Sequence, residues 1–72
     1  MKKKIGILGS TGSIGENTIK IIFKNKKDFD VIFISTNNNI KKLYKQAILV
    51  RPKAVIIFNK EKYFKFKKIF IK

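Results

Sequence analysis

The sequence contains no cysteine, histidine or tryptophan, and only one proline, one methionine and four glycines among 72 residues. Without thiols or imidazoles, disulfides, thiolate catalysis and the usual zinc constellations are excluded within these residues. The lack of cysteine fits a reducing compartment, and a cytoplasmic setting is expected. Acidic side chains are scarce as well: four Asp and Glu stand against 18 Lys and Arg, for a formal charge of +14. Such charge attracts polyanions through a long-range, salt-sensitive field. Arginine, however, is the residue that reads phosphates and base edges bidentately, and Arg51 is the only one here. The lysines also travel with abundant Ile, Asn and Phe, a set that AT-rich coding favours generally. Specific nucleic-acid binding is therefore not expected, although a small basic nucleic-acid-binding module stays open as an alternative. No apolar run reaches the length of a membrane span, and no membrane partner is expected. Lys2-Lys3-Lys4 followed by apolar residues resembles the start of a signal peptide, but the run breaks at Gly9-Ser10-Thr11-Gly12 and no small-residue cleavage site follows.

A chain of this size allows one small domain and buries only about 60% of its unfolded surface. A site for a whole dinucleotide normally uses two mononucleotide halves of an open sheet, so there is room here for one half. An incomplete domain is the expectation.

The organising stretch is Gly9-Ser10-Thr11-Gly12-Ser13-Ile14-Gly15, placed between the apolar run Ile5-Gly6-Ile7-Leu8 and a periodic segment from Thr18 onward. That is the order strand, glycine turn, helix. Glycine supplies the torsions such a turn needs, and the turn aims the helix's free N–H groups and positive dipole end outward as an anion site. Ser10, Thr11 and Ser13 add hydroxyls within reach of phosphate oxygens. The glycine spacing is G-x-x-G-x-x-G, in which Gly12 and Gly15 keep the second half of the dinucleotide fingerprint. A plain linking turn is the blander reading, and the strand before and helix after it favour the phosphate loop.

Lys4 to Leu8 reads as a first strand, apolar on successive positions as when both faces of a parallel strand are covered. Gly6 within it suggests close approach of another backbone. Ile14, Thr18, Ile21 and Ile22, widened by Ile19 and Phe23, predict an amphipathic helix over 14 to about 25. Asp28-Phe29-Asp30 connects to a second strand, Val31 to Ile34, which ends at Ser35-Thr36-Asn37-Asn38-Asn39. In a dinucleotide-binding unit this tip meets the adenosine ribose, where an acidic residue selects NAD. None is present, so a 2′-phosphate is not repelled and NADP is favoured, although the tip also lacks a cation. One of Asn37 to Asn39 is expected to cap the next helix. That helix carries Ile40, Leu43, Tyr44, Ala47 and Ile48 on one stripe, with Lys41, Lys42 and Lys45 opposite. Pro52 breaks the pattern, and Ala54 to Phe58 reads as a third strand. Right-handed crossovers then place helices on the sheet faces. Residues 59–72, with Tyr63, Phe66, Ile69 and Phe70 at helical spacing, are read as a helix.

From Lys4 to Gly15, with Thr18, Val31 to Asn39 and the strand after Pro52, the sequence resembles the N-terminal segment of the 1-deoxy-D-xylulose 5-phosphate reductoisomerases. The match runs in register through about residue 58. The resemblance implies a Rossmann-like βαβαβ half with three parallel strands and flanking helices. It also implies an NADPH- and divalent-metal-dependent enzyme (Mg or Mn) of non-mevalonate isoprenoid biosynthesis, which converts 1-deoxy-D-xylulose 5-phosphate to 2-C-methyl-D-erythritol 4-phosphate. The small-molecule partner is that sugar phosphate, and the complete enzyme is expected to be a homodimer. By position, Thr11, Gly12, Ser13 and Ile14 would line the pyrophosphate and nicotinamide side of the cofactor, with Gly9 and Gly15 of the same loop also counted as cofactor-binding. Asn37, Asn38 and Asn39 would face the adenosine 2′-phosphate.

Two departures stand out. Family members commonly carry Gly followed by Lys or Arg where Asn37 and Asn38 stand, so a charge-assisted contact is lost. The metal carboxylates, substrate-phosphate groups and active-site loop of the family also match nothing here. No catalytic or metal role falls to Glu16, Asp28, Asp30 or Glu61, and the fragment alone is expected to be inactive. Semialdehyde dehydrogenases, whose first strand leads into a similar G-x-T-G-x-x-G loop but which need a cysteine nucleophile further on, are the neighbouring alternative.

Overall fold

The computed structural model describes residues 2–70, with side chains through Lys67. Strand β1 (Lys3–Ile7) leads through the glycine turn into helix α1 (Ser13–Lys24). A single 3₁₀ turn at Lys26–Asp28 then feeds strand β2 (Phe29–Thr36). Helix α2 (Ile40–Val50), strand β3 (Ala54–Ile57) and helix α3 (Lys60–Phe70) complete the described chain. The expected C-terminal helix is therefore α3, and Ile71 and Lys72 lie outside the described residues, as does Met1.

The three strands are parallel in the order β1-β2-β3, so β2 is central. Each β-α-β passage joins neighbours, which is the doubly-wound half that the alternation of elements predicts. Among the described residues the core is a single cluster. Ile19 and Ile22 of α1, Leu43 and Ala47 of α2 and Phe66 of α3 meet Ile7, Val31, Ile34 and Ile57 of the sheet. Ile34 and Leu43, both fully enclosed, sit at its centre.

The helices bring their buried side chains to one face of this sheet, which differs from the expectation that both faces are covered. Along β3, Val55 and Ile57 turn toward the core while Ala54 and Ile56 are exposed, and Gly6 and Leu8 are exposed beside Ile7. The molecule is correspondingly thin, 36 × 26 × 15 Å. The physical reason is handedness: two successive right-handed crossovers in the same direction put α1 and α2 on one side. Helix α3 stays there too, through an edge-to-face contact of Phe66 with Tyr44 at 6.3 Å.

One irregularity decides which β2 residues enter the core. Ile5 pairs with Val31 but Gly6 pairs with Phe33, so Ile32 is an extra residue in a bulge. Val31 and Ile34 therefore both face the helices, and the Phe33 ring lies across Gly6 on the other face. A Cβ on Gly6 would stand 2.0 Å from Phe33 Cε2, so the close approach foreseen at Gly6 comes from an aromatic ring and not from backbone.

The helical stripes are narrower than their periodicity suggests. On α1, Ile19 and Ile22 are buried, whereas Ile14, Ile21 and Phe23 are exposed, Ile14 by 84%. On α2, Ile48 is exposed while Gln46 is buried. Helix α2 ends at Arg51, whose φ of 48° makes it the one described non-glycine residue in the left-handed region.

Candidate functional site

The mouth of the first crossover is built from three glycines that serve three different purposes. Gly9 has φ +70°, a conformation that side chains resist, and its carbonyl accepts the Gly12 N–H at 3.1 Å to close the turn. Gly15 is buried where α1 crosses the turn. A Cβ there would lie 2.3 Å from Gly9 O and 2.6 Å from Ser10 Cα, so its bareness lets helix and strand touch. Gly12 needs neither. Its φ of −76° and ψ of 172° suit any residue, and a Cβ would meet only Gly9 O, at an ordinary 3.5 Å. A position with ordinary torsions and open space around it leaves a bare floor at the helix entrance, where a ligand can approach the backbone.

Gly12 is also the N-cap of α1, and no side chain caps this helix. Glu16 N–H donates to Gly12 O at 2.7 Å, so the intrahelical ladder starts there. The amides of Ser13, Ile14 and Gly15 precede it and have no intrahelical acceptor, and they stand at the positive end of the dipole. Gly9, Gly12, Ser13 and Ile14 are exposed, so the stretch opens outward. A groove of about 640 Å³ runs past them along β1, lined by Gly9, Gly12, Ser13, Ile14 and Gly15 among others.

Ser10 does not behave as the sequence suggests. It is fully buried, and its hydroxyl is spent inside the protein, 2.7 Å from Gln46 Oε1 and 3.2 Å from the Ser35 carbonyl. Gln46 Nε2 in turn donates to the Ser10 carbonyl at 2.7 Å, so one amide side chain grips Ser10 twice. Ser10 N–H donates to Ser35 O at 2.9 Å and Gly9 N–H to Ser35 Oγ at 2.8 Å. The hydroxyls of Thr11 and Thr36 meet at 2.7 Å, and Thr36 Oγ1 also accepts Asn39 N–H at 3.2 Å. Every buried polar side-chain atom among the described residues has a partner. The glycine turn is thereby bolted to the end of β2, and Thr11 joins the turn to the tip that carries the asparagines.

Sequence reasoning missed Gln46, Ser35 and Thr36. The sequence places Ser35 and Thr36 in the polar tip that ends the second strand, but β2 continues through Thr36 and buries both. Gln46 lies beside the α2 stripe, flanking Leu43 one turn on, so the periodicity of α2 alone carries no signal of its burial.

At the tip itself, Asn37, Asn38 and Asn39 are exposed. Asn39 caps α2, its Oδ1 accepting Lys42 N–H at 3.2 Å, as the composition suggests for one of the three. The Asn37 carbonyl accepts Asn59 N–H at 3.1 Å, which ties the tip to the start of α3. Asn38 and Asn39 line a second groove of about 380 Å³, which also touches Lys41, Lys62 and Lys65. Among the described residues the two grooves share no lining residue, so the two predicted halves of the site do not fall in one pocket.

No group of three or more His, Cys, Asp or Glu capable of holding a metal occurs among the described residues. Glu16 pairs with Lys42, and Asp30 with Lys53 at 3.5 Å. These carboxylates neutralise lysines and do not converge. No helix among the described residues is long and apolar enough to cross a membrane.

The family model described as 1-deoxy-D-xylulose 5-phosphate reductoisomerase matches residues 5–72. A curated relative of that name from Porphyromonas gingivalis is 52% identical over 63 residues, covering 88% of this chain and 16% of the relative. Another from Phocaeicola vulgatus is 43% identical over 67 residues, covering 93% of this chain and 18% of the relative. A solved structure of 1-deoxy-D-xylulose 5-phosphate reductoisomerase from Zymomonas mobilis, in complex with NADPH, superposes with a TM-score of 0.91 at 31% identity. It covers 94% of this chain and 18% of that one. A DOX-P reductoisomerase in complex with magnesium gives a TM-score of 0.88 at 22% identity, a likeness of fold. The chain spans less than a fifth of the length of these proteins. By the family-model match over residues 5–72, nearly the whole of its length, the chain belongs to the 1-deoxy-D-xylulose 5-phosphate reductoisomerase family.

Proposed function

We propose that the chain is the NADPH-binding N-terminal segment of a reductoisomerase that converts 1-deoxy-D-xylulose 5-phosphate to 2-C-methyl-D-erythritol 4-phosphate. The observation that carries this reading is Gly12. It is a glycine whose torsions and surroundings would admit a side chain, at the uncapped entrance of α1 beside three amides without intrahelical acceptors. Such a floor lets backbone approach a pyrophosphate, the role of the second glycine in dinucleotide loops. In this reading residues 1–72 belong to the N-terminal part of an NADP-binding domain, with α3 (Lys60–Phe70) as a flanking helix.

Gly9 and Gly15 shape the loop, and the Ser13, Ile14 and Gly15 amides hold the pyrophosphate. Thr11 fixes the loop to the tip, where Asn37, Asn38 and Asn39 meet the adenosine end. Bound NADPH supplies the hydride for reducing the rearranged aldehyde. The divalent metal of the complete enzyme has no matching ligand set among the described residues, so no step involving it is assigned to them. A cytoplasmic homodimer for the complete enzyme belongs to the same proposal.

Titrating the chain with NADPH, NADH and single-stranded DNA at two salt concentrations tests the reading. Saturable binding with NADPH preferred over NADH is the expected result. Indifference to both nucleotides, combined with tight and steeply salt-dependent DNA binding, would overturn it in favour of a basic polyanion module.

A further inference from the structure

The β2 tip carries asparagines and no cation, which leaves an NADP 2′-phosphate without a charged partner from the tip's own residues. The fold supplies charge from elsewhere. In the groove that Asn38 and Asn39 line, Lys41 of the first α2 turn is joined by Lys62 and Lys65 of α3. Lys62 and Lys65 are three apart and so share one face of α3. Among the described residues no carboxylate lines this groove.

Helix α3 is fastened to this spot by the tip itself. Phe58 N–H donates to Thr36 O and Asn59 N–H to Asn37 O, each at 3.1 Å. The Asn59 side chain then caps α3 by accepting Lys62 N–H at 3.1 Å. One turn further on, Phe66 is buried against Tyr44 of α2. The same asparagine run that ends β2 therefore anchors the helix that carries the two lysines, and Lys62 is half-buried in that position.

We propose that Lys62 and Lys65 supply the positive charge for the 2′-phosphate of the NADPH adenosine, replacing a cation at position 38. The proposal rests on the NADPH reading above and names the residues that make the site prefer NADPH to NADH. Hydrogen bonds between a charged donor and a phosphate are roughly twice as strong as neutral ones, so losing both lysines removes more than the asparagines alone restore.

The test uses the full chain and compares Lys62→Gln with Lys65→Gln, singly and together, against a charge-matched control, Lys20→Gln with Lys24→Gln on α1. NADPH and NADH affinities are measured by nucleotide fluorescence, with circular dichroism to establish that each variant is folded. The expected result is an NADPH affinity lowered about tenfold or more in the double variant, with NADH binding within about twofold of the unmodified chain. The α1 control leaves the NADPH to NADH ratio unchanged, and Lys62→Arg retains it. If the unmodified chain prefers NADPH but the double variant keeps the same ratio, this proposal fails while the cofactor reading stands. If the unmodified chain binds neither nucleotide, both fall.

Discussion

Replacing Gly12 with serine sets the stability of α1 against the openness of its entrance. Gly12 occupies the N-cap with φ −76° and ψ 172°, the extended geometry in which a serine hydroxyl accepts an N–H from the first turn. Its Cβ would make one ordinary contact, 3.5 Å from Gly9 O, so nothing need move. Serine outranks glycine at an N-cap by a few tenths of a kcal/mol, about 0.3 to 0.5. In a domain of this size about 1 kcal/mol shifts the melting temperature by roughly 4–8 °C, so a rise of about 1–4 °C is expected. The same hydroxyl takes an amide that the pyrophosphate would otherwise use and fills part of the floor. A lost hydrogen bond to a charged group costs about 1.5–3 kcal/mol, which is roughly a ten- to hundredfold loss in NADPH affinity. Thermal unfolding by circular dichroism and NADPH fluorescence titration read the two effects on one sample. A serine variant that melts higher yet binds NADPH as well as before would refute the assignment of these amides to the pyrophosphate.

Other substitutions separate the remaining parts of the site. Gly15→Ala would normally gain about 1 kcal/mol of helix propensity, but its Cβ would collide with Gly9 and Ser10 backbone, so a net loss of about 1–3 kcal/mol is expected in urea unfolding. Gln46→Leu leaves the Ser10 hydroxyl and carbonyl short of partners inside the protein and should cost about 1–3 kcal/mol. Amide exchange at Gly9 and Ser10 should quicken in the same variant; unchanged exchange there would mean that Gln46 does not hold the turn. Asn38→Lys adds a cation to the groove that already holds Lys62 and Lys65 and should raise the NADPH to NADH preference several-fold, measured by parallel titration.

The elements were legible because each is announced locally. The apolar runs at Ile5 to Leu8, Val31 to Ile34 and Ala54 to Phe58 have the length and bounds of strands, and the 3.6-residue stripes place the helices between them. The glycine turn was readable as a motif, since strand, turn and helix are contiguous in sequence. What escaped depends on pairs far apart in the chain. Ser10 looks like a loop hydroxyl until a helix 36 residues on presents Gln46 to it. Ser35 and Thr36 look like a polar strand end until β1 and the turn close over them. The bulge at Ile32 follows from pairing with β1, which no property of β2 alone reveals. The cations near Asn38 were hidden for the same reason, because Lys62 and Lys65 reach the tip only after α3 docks.

The uncovered sheet face carries a consequence for how the molecule behaves in solution. Gly6, Ala54 and Ile56 hold apolar surface toward water on a protein of charge +14, so two such faces are kept apart by mutual repulsion between lysines. That repulsion reaches about 10 Å at 0.1 M salt and only about 3 Å at 1 M. Raising the salt therefore draws copies of the protein together, and light scattering should climb between about 0.1 M and 1 M.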